Sequence, residues 1–204
     1  MLKRHHHCEN NELSELAVLR YKEQEIYAFV ETLMLHAIQI RQAGDPGVPN
    51  WTPIEVGEPG SGQVRLRQAA AGLNYIDVYH RTGYYSQPLP SIPGLEGAEP
   101  VEAIGQDVRG VRVGDRVAYV GPAGGYSEVR LIEADRQVRL LDAISFDQAA
   151  AMMLFSGGEK LPVVFDSVGK DTFLVNQRFA HKNAADAHKA LEARATSGST
   201  VLTI

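Results

Sequence analysis

From Met34 onward, apolar and polar residues alternate in short runs, the period-two signature of strands with one buried face. "HAIQIRQAG" sets Ile38 and Ile40 between polar neighbours, and "GQVRLRQAAAG" does the same with Val64 and Leu66. "PVEAIGQDVRGVRVGDRVAYVG" reads as two or three strands split at "GQD" and "GD", and "GGYSEVRLIEADRQVRLL" continues the pattern. Gly-rich turns recurring about every 8–12 residues predict a closed or folded-over antiparallel barrel. Inside this β-region the spacing changes once. "NYIDVYHRTG" predicts a short helix, with Asn74 as its cap, Asp77 three residues on as in a capping box, and Gly83 as its stop.

The flanking regions follow a helical period. Residues 12–33 carry Leu13, Leu16, Leu19, Ile26, Phe29, Val30 and Leu33 without Gly or Pro, which predicts one amphipathic helix. After the β-region, Ser145 and Gln148 form an S-x-x-Q box that opens an alanine-rich helix, "SFDQAAAMML". "LPVVF" follows as a continuous apolar run, the pattern of a parallel strand covered on both faces. In "NAADAHKALEARATSGSTVLTI", Asn183 caps a helix with Leu191 and alanines inside, "SG" stops it, and "STVLTI" is a last strand.

Composition narrows the function classes. The 204 residues are 44% apolar and 22% charged, enough for a core, and the net charge of −5 has no basic patch of the kind nucleic acid requires. The single cysteine, Cys8, excludes a disulfide framework and any multi-cysteine zinc site. The longest apolar run, Ala149 to Phe155, is too short to cross a bilayer, and the start has no apolar signal region. A cytoplasmic protein without membrane or nucleic-acid partners is expected. "RHHHC" near the start reads as a polar tail rather than a metal site.

Two stretches could carry chemistry. "NYIDVYHRTGYY" packs Asn74, Tyr75, Asp77, Tyr79, His80, Tyr84 and Tyr85 into one short segment. Tyrosine faces with an amide and a carboxylate suit a planar ligand with polar edges. The same residues also read as helix caps and half-buried packing. In "GLEGAE", Glu96 lies between glycines and is either catalytic or an acceptor in a turn. His181 and His188 read as surface residues.

Taken in order, "AAAGLNYIDVYHRTGYY", "IPGLEGAEPVEAIG", "VRVGDRVAYVGPAGGYSEV", "DAISFDQAAAMML", "VVFDSVGKDTF" and "AADAHKALEARATSGSTVLTI" resemble the zinc-independent quinone oxidoreductases (zeta-crystallin type) of the medium-chain dehydrogenase/reductase superfamily. The resemblance starts near Met34 and runs, with gaps, to Ile204. It implies a mostly β, α+β fold: a GroES-like β-barrel catalytic domain at 34–154, the remnant of a Rossmann α/β domain at 155–182, and a helix and strand at 183–204 that return to the barrel. Residues 1–33 are then an extra N-terminal segment. It also implies NADPH as hydride donor and a quinone or similar small molecule as acceptor, with a homodimer as the possible assembly. Asn74, Asp77, Tyr79 and Tyr85 match positions near the nicotinamide and substrate. Asn74 and Tyr79, with Ser167, Val168 and Gly169 in the loop after a Rossmann strand, match cofactor-side positions. Zinc-dependent relatives carry a histidine just before the glutamate of "GLEGA"; Leu95 stands there, so the resemblance implies hydride transfer without metal.

The sequence departs from that pattern in one large respect. A dinucleotide domain repeats βαβ units of about 30 residues with a Gly-rich turn at a helix N-terminus. Only 28 residues, Phe155 to Lys182, separate "AAAMML" from the last helix, and they hold one recognisable strand and no such turn. "FSGGEK" therefore reads as the junction of two pieces that lie far apart in the family. Glu99 and Pro100 are a smaller departure, awkward where a strand begins. Three readings stand: a quinone oxidoreductase by family whose isolated chain does not hold NADPH, a non-catalytic GroES-like binding or oligomerisation module, and a deletion remnant without function.

Overall fold

The computed structural model of the chain describes residues 34–156, 175–196 and 198–203. The expected helix 12–33, the "RHHHC" tract, the "LPVVF" strand and Ser167–Gly169 lie outside them. The described residues are mostly β with a few helices, the α+β class expected. Strands β1 (Leu35–Gln39) and β2 (Asn50–Ile54) form an antiparallel ribbon. Strands β3 (Gln63–Arg67), β4 (Ala70–Leu73), β5 (Glu96–Ile104), β6 (Arg116–Val120), β7 (Val129–Glu133), β8 (Val138–Arg139), β9 (Val175–Ala180) and β10 (Ser199–Thr203) make one curled sheet. Its order is β7-β3-β5-β4-β10-β9, with β6 on β5 and β8 on β6.

Strand β4 ties the last strand into the sheet. It pairs antiparallel with β10, from Leu73 opposite Thr200 to Ala70 opposite Thr203, and all its residues are buried. Successive strand residues face opposite ways. Ala70 and Val201 face helix α2 (Phe146–Ala150), while Ala71 and Leu202 face helix α4 (Ala184–Glu192). Alanines at Ala149, Ala150, Ala184 and Ala187 let both helices approach closely. Burying Val201 and Leu202 contributes roughly 1.5–3 kcal/mol each.

Four local expectations need correction. "NWTPI" is a strand that the alternation did not pick out; β2 tolerates Pro53 since β1 is its one partner in the described sheet. "VNQRFA" lacks alternation, yet it forms β9 by pairing parallel to β10, so the segment before the last helix holds a strand the pattern did not reveal. The alanine-rich helix is shorter than expected: α2 closes at Ala151, and a separate turn of helix, α3 (Met153–Ser156), follows. Helix α4 ends at Glu192, with Arg194 in the left-handed region at φ 54°, before the "SG" expected to stop it.

Glu99 and Pro100 lie inside β5, not at its start. The Val101 N–H donates to the Asp115 carbonyl on the β6 side at 2.9 Å. Alternation then turns the Pro100 nitrogen to the opposite edge, where the partner of β5 changes from β4 to β3. The missing donor falls at that change of partner.

Candidate functional site

The site is built on helix α1 (Tyr75–Thr82) and the start of β5. Asn74 has extended φ −122° and ψ 157°, as an N-cap should, and forms the expected capping box with Asp77, its side chain set toward the Asp77 N–H and the Asp77 side chain toward the Asn74 N–H. Its backbone carbonyl accepts the Asp77 N–H at 3.0 Å, and Asp77 Oδ2 accepts the Asn74 N–H at 2.9 Å. The other branch of the Asn74 amide, Nδ2, donates to Glu96 Oε1 at 2.7 Å. An N-cap asparagine normally gives its side-chain oxygen to the helix; this one also gives its NH2 to a buried acid.

Asp77 is fully enclosed. Besides Asn74 it accepts the Gly94 N–H at 3.2 Å and the Tyr126 hydroxyl at 3.0 Å. Burial pushes its pKa up to about 6, against the lowering effect of these donors. Its contacts make it a strut between α1, the Gly94 turn and Tyr126. Glu96 is also buried, and Leu154 of α3 donates its N–H to Oε2 at 2.7 Å. Burial, with a smaller push from Asp77, raises its pKa to about 7. Glu96 presses against bare backbone: a Cβ at Gly72 would stand 2.2 Å from Oε1 and 2.4 Å from the Ala150 carbonyl. Only glycine fits there.

On the outer side of α1 the tyrosines form one cluster. Tyr79 is central, with ring centroids 5.3 Å from Tyr75, 5.1 Å from Tyr84 and 5.3 Å from Tyr85. Gly83, at φ 80°, ends the helix in the left-handed region that a Cβ disfavours. The chain then folds back, and the Tyr85 N–H donates to the Tyr79 carbonyl at 3.1 Å. Tyr75, Tyr84 and Tyr85 keep large exposed areas. Exposed, edge-packed rings on a helix that begins with an oriented amide can hold a flat molecule and fix one polar edge of it.

The structure thus gathers Asn74, Tyr79 and Tyr85 on one helix and its following turn, and sets Asp77 beneath them. Ser167, Val168 and Gly169 lie outside the described residues. Glu96 proves to be the acid that holds Asn74, in a strand and not in a turn. Its signal was present in the "GLEGA" motif, but its partner is 22 residues away and could not be read from spacing. Glu99 went unrecognised as a site residue. It is buried with no hydrogen-bond partner for either oxygen, beside Arg130, whose guanidinium stacks on Tyr119 at 4.6 Å. His181 and His188 are not on the surface as expected: both are buried against Tyr126, and burial lowers each pKa to about 4.

Among the described residues, no three His, Cys, Asp or Glu side chains are placed to hold a metal ion, and no helix is long and apolar enough to cross a membrane. A dinucleotide would need a phosphate cradle between a strand and a helix. The one parallel pair of strands described, β9 and β10, is joined through α4. The turn entering α4 is Ala180-His181-Lys182-Asn183, without glycine, and the His181 ring is buried under it. Those residues do not fit a pyrophosphate.

Residues 60–142 match the alcohol dehydrogenase GroES-like domain. Over 123 residues, 59% of this chain, the sequence is 48% identical to a quinone oxidoreductase of Pseudomonas aeruginosa, of which it covers 38%. The chain thus spans about two-fifths of the length of that curated relative. The solved quinone oxidoreductase of Pseudomonas syringae pv. tomato DC3000 is similar over 59% of this chain and 38% of its own, with 48% identity and a TM-score of 0.57. The fold also follows that of Escherichia coli quinone oxidoreductase complexed with NADPH, at 22% identity and a TM-score of 0.69, over 83% of this chain and 100% of that one.

Proposed function

We propose that this chain, whose residues 60–142 match the alcohol dehydrogenase GroES-like domain, is the substrate-side part of a quinone oxidoreductase and binds a quinone or similar flat carbonyl compound at the α1 rings. The observation that carries this reading is the Asn74 amide, held by Glu96 at the start of the helix that carries Tyr75 and Tyr79, with Tyr85 packed on Tyr79. Rings supply area and stacking, and the amide supplies a directional bond to the edge of the ligand. Leu95, immediately before Glu96, offers no metal-binding atom, which supports chemistry without zinc. In relatives of this kind the hydride would come from NADPH.

The glycine-free turn at His181 and the 28 residues from Phe155 to Lys182 favour a second statement: the isolated chain does not hold NADPH competently and acts as a binding module. Cytoplasmic residence fits this reading. Trp51 stacks on His36 at 5.2 Å and serves as the fluorescence reporter. Titration with NADPH is expected to give no saturation in the micromolar range; saturable micromolar binding would sink the second statement. Titration with a naphthoquinone is expected to saturate, and Tyr79→Ala to weaken it. Equal affinity in wild type and Tyr79→Ala would remove the ring cluster from the site.

A further inference from the structure

A second concave surface lies at the far end of β5 from the α1 site. Glu96 and Ile104 are the two ends of that strand, roughly 25 Å apart at the rise of an extended chain. Around Ile104, the turn from β5 to β6 and the short strand β8 enclose a pocket of about 510 Å³. Its apolar lining is Ile104, Val108 and Val111, and its charged lining is Arg112, Asp115 and Arg139.

The apolar side is anchored. Val111 is buried in the cluster that holds Val64, Val101 and Ile132, and Val108 packs against that cluster. Ile104 keeps 40% of its surface exposed at the strand end. Gly110 also borders the pocket, with φ 87° in the left-handed region, and a Cβ there would meet nothing within 4 Å. The space beside it is open.

The charged side is anchored too, but unevenly paired. Asp115 Oδ2 accepts the Arg112 backbone N–H at 3.0 Å, and the Asp115 N–H donates to the Arg112 carbonyl at 3.0 Å. The Gly114 N–H ties this turn to the Val101 carbonyl at 2.8 Å. Arg139 pairs with Asp115, its Nε 3.4 Å from Oδ2. Asp115 thus serves the Arg112 backbone and the Arg139 side chain, and the Arg112 guanidinium has no acid partner among the described residues. Two guanidinium groups against one carboxylate leave one net positive charge at the rim, on a chain whose net charge is −5.

We propose that this pocket is a second binding site and takes a small monocarboxylate with a compact aliphatic body. The carboxylate meets the planar fork of Arg112, and the body lies on Ile104, Val108 and Val111. One negative charge balances the rim. A phosphate dianion would meet Asp115 with twice the repulsion, and a neutral molecule of the same shape would leave Arg112 unpaired. Nothing in this site uses Asn74, Glu96 or the tyrosines, so it stands whether or not α1 binds a quinone.

The test uses the full chain, nuclear magnetic resonance at pH 7, and two probes of one shape: cyclohexanecarboxylate and its neutral amide, cyclohexanecarboxamide. The carboxylate is expected to shift the methyl signals of Ile104, Val108 and Val111 and the Arg112 side-chain N–H together, saturating with a Kd of about 1–10 mM. The amide should bind at least about fivefold more weakly. Arg112→Ala keeps the backbone bond to Asp115; it should weaken the carboxylate about tenfold and bring the two probes within about twofold of each other. Arg112→Lys keeps the charge and loses the fork, and should weaken the carboxylate about threefold. Ile104→Ser should weaken both probes by a similar factor of about three. No saturation up to about 50 mM overturns the site, as do shifts that gather at Tyr79 instead of Ile104 and Val111. Equal affinity for acid and amide in wild type, or an unchanged carboxylate Kd in Arg112→Ala, overturns the assignment of a carboxylate to Arg112.

Discussion

Tyr126 adjoins two buried titratable clusters built in opposite ways. Under α1, the carboxylates of Asp77 and Glu96 have donors on every oxygen, from Asn74, Gly94, Tyr126 and Leu154. Under α4, His181 and His188 have no partner for any ring nitrogen and lie against aromatic faces, His181 beside Trp51 and both beside Tyr126. The first cluster uses polar bonds to set position. The second uses imidazole as a neutral, flat filler. The difference predicts that the acids are costly to remove and the histidines cheap, and that the two clusters respond to pH with opposite sign.

The largest expected effect is at Asp77. Asp77→Ala leaves two backbone N–H groups and a buried hydroxyl without an acceptor and should cost about 3–5 kcal/mol. Urea unfolding measures it, and a loss below about 1 kcal/mol would show that Asp77 is not the strut its contacts describe.

The pH response comes next. His181 and His188 fall from 6.5 when unfolded to about 4 when folded, so the unfolded chain binds more protons, and stability declines as pH drops from 6.5 toward 4. Asp77 rises from 3.8 to about 6 and Glu96 from 4.5 to about 7, so the folded chain binds more protons, and stability declines as pH climbs through those windows. Each group changes stability by about 1.4 kcal/mol per pH unit inside its window. Between about pH 4.5 and 6 the two sets oppose, and the wild type should be nearly flat. Replacing both histidines by Phe should leave the acids unopposed, with stability at about pH 4.5 exceeding that at pH 6 by about 2–4 kcal/mol. A curve that still falls toward acid would mean the histidines are not the groups responsible.

Smaller effects sharpen the contrast. Gly72→Ala forces a methyl against Glu96 and the Ala150 carbonyl and should cost about 1–3 kcal/mol; it should also disturb the Asn74 amide signal, whereas a change confined to stability would place Glu96 outside the site. Arg178 and Asp147 pair at 2.5 Å between β9 and α2, but Arg178 is half-exposed. Arg178→Ala should therefore cost no more than about 1 kcal/mol. A larger loss would make that ion pair a principal tie of β9, and thermal melting in low and high salt would reveal it.

How much of this could be read beforehand varies with the range of the interaction. The caps of α1 and α2 were legible because Asn74 with Asp77, and Ser145 with Gln148, act within one turn of helix. The β-alternation around Ile38, Val64 and Leu66 was legible because each strand carries its own inside and outside. β9 was not, because "VNQRFA" becomes a strand only where β10 offers its edge. The buried state of His181 and His188 was not, because a polar ring on an alanine-rich helix reads as surface until Trp51 and Tyr126 are brought against it. The tyrosine cluster was legible as a group within one segment. The Asn74–Glu96 bond, 22 residues apart along the chain, was not.

By itself, then, the sequence determined the local elements, the similarity to quinone oxidoreductases over 123 residues, and the lack of a Gly-rich turn pattern in the stretch between Phe155 and Lys182. Those are properties of neighbouring residues, of helix caps and of strand period, and they act over a few bonds. Tertiary structure alone decided that Asp77 is a strut, that Glu96 grips the Asn74 amide, and that two histidines serve as core. Each of those depends on which groups lose water together and which donors reach them, and that is fixed when strands and helices distant along the chain close around the same space.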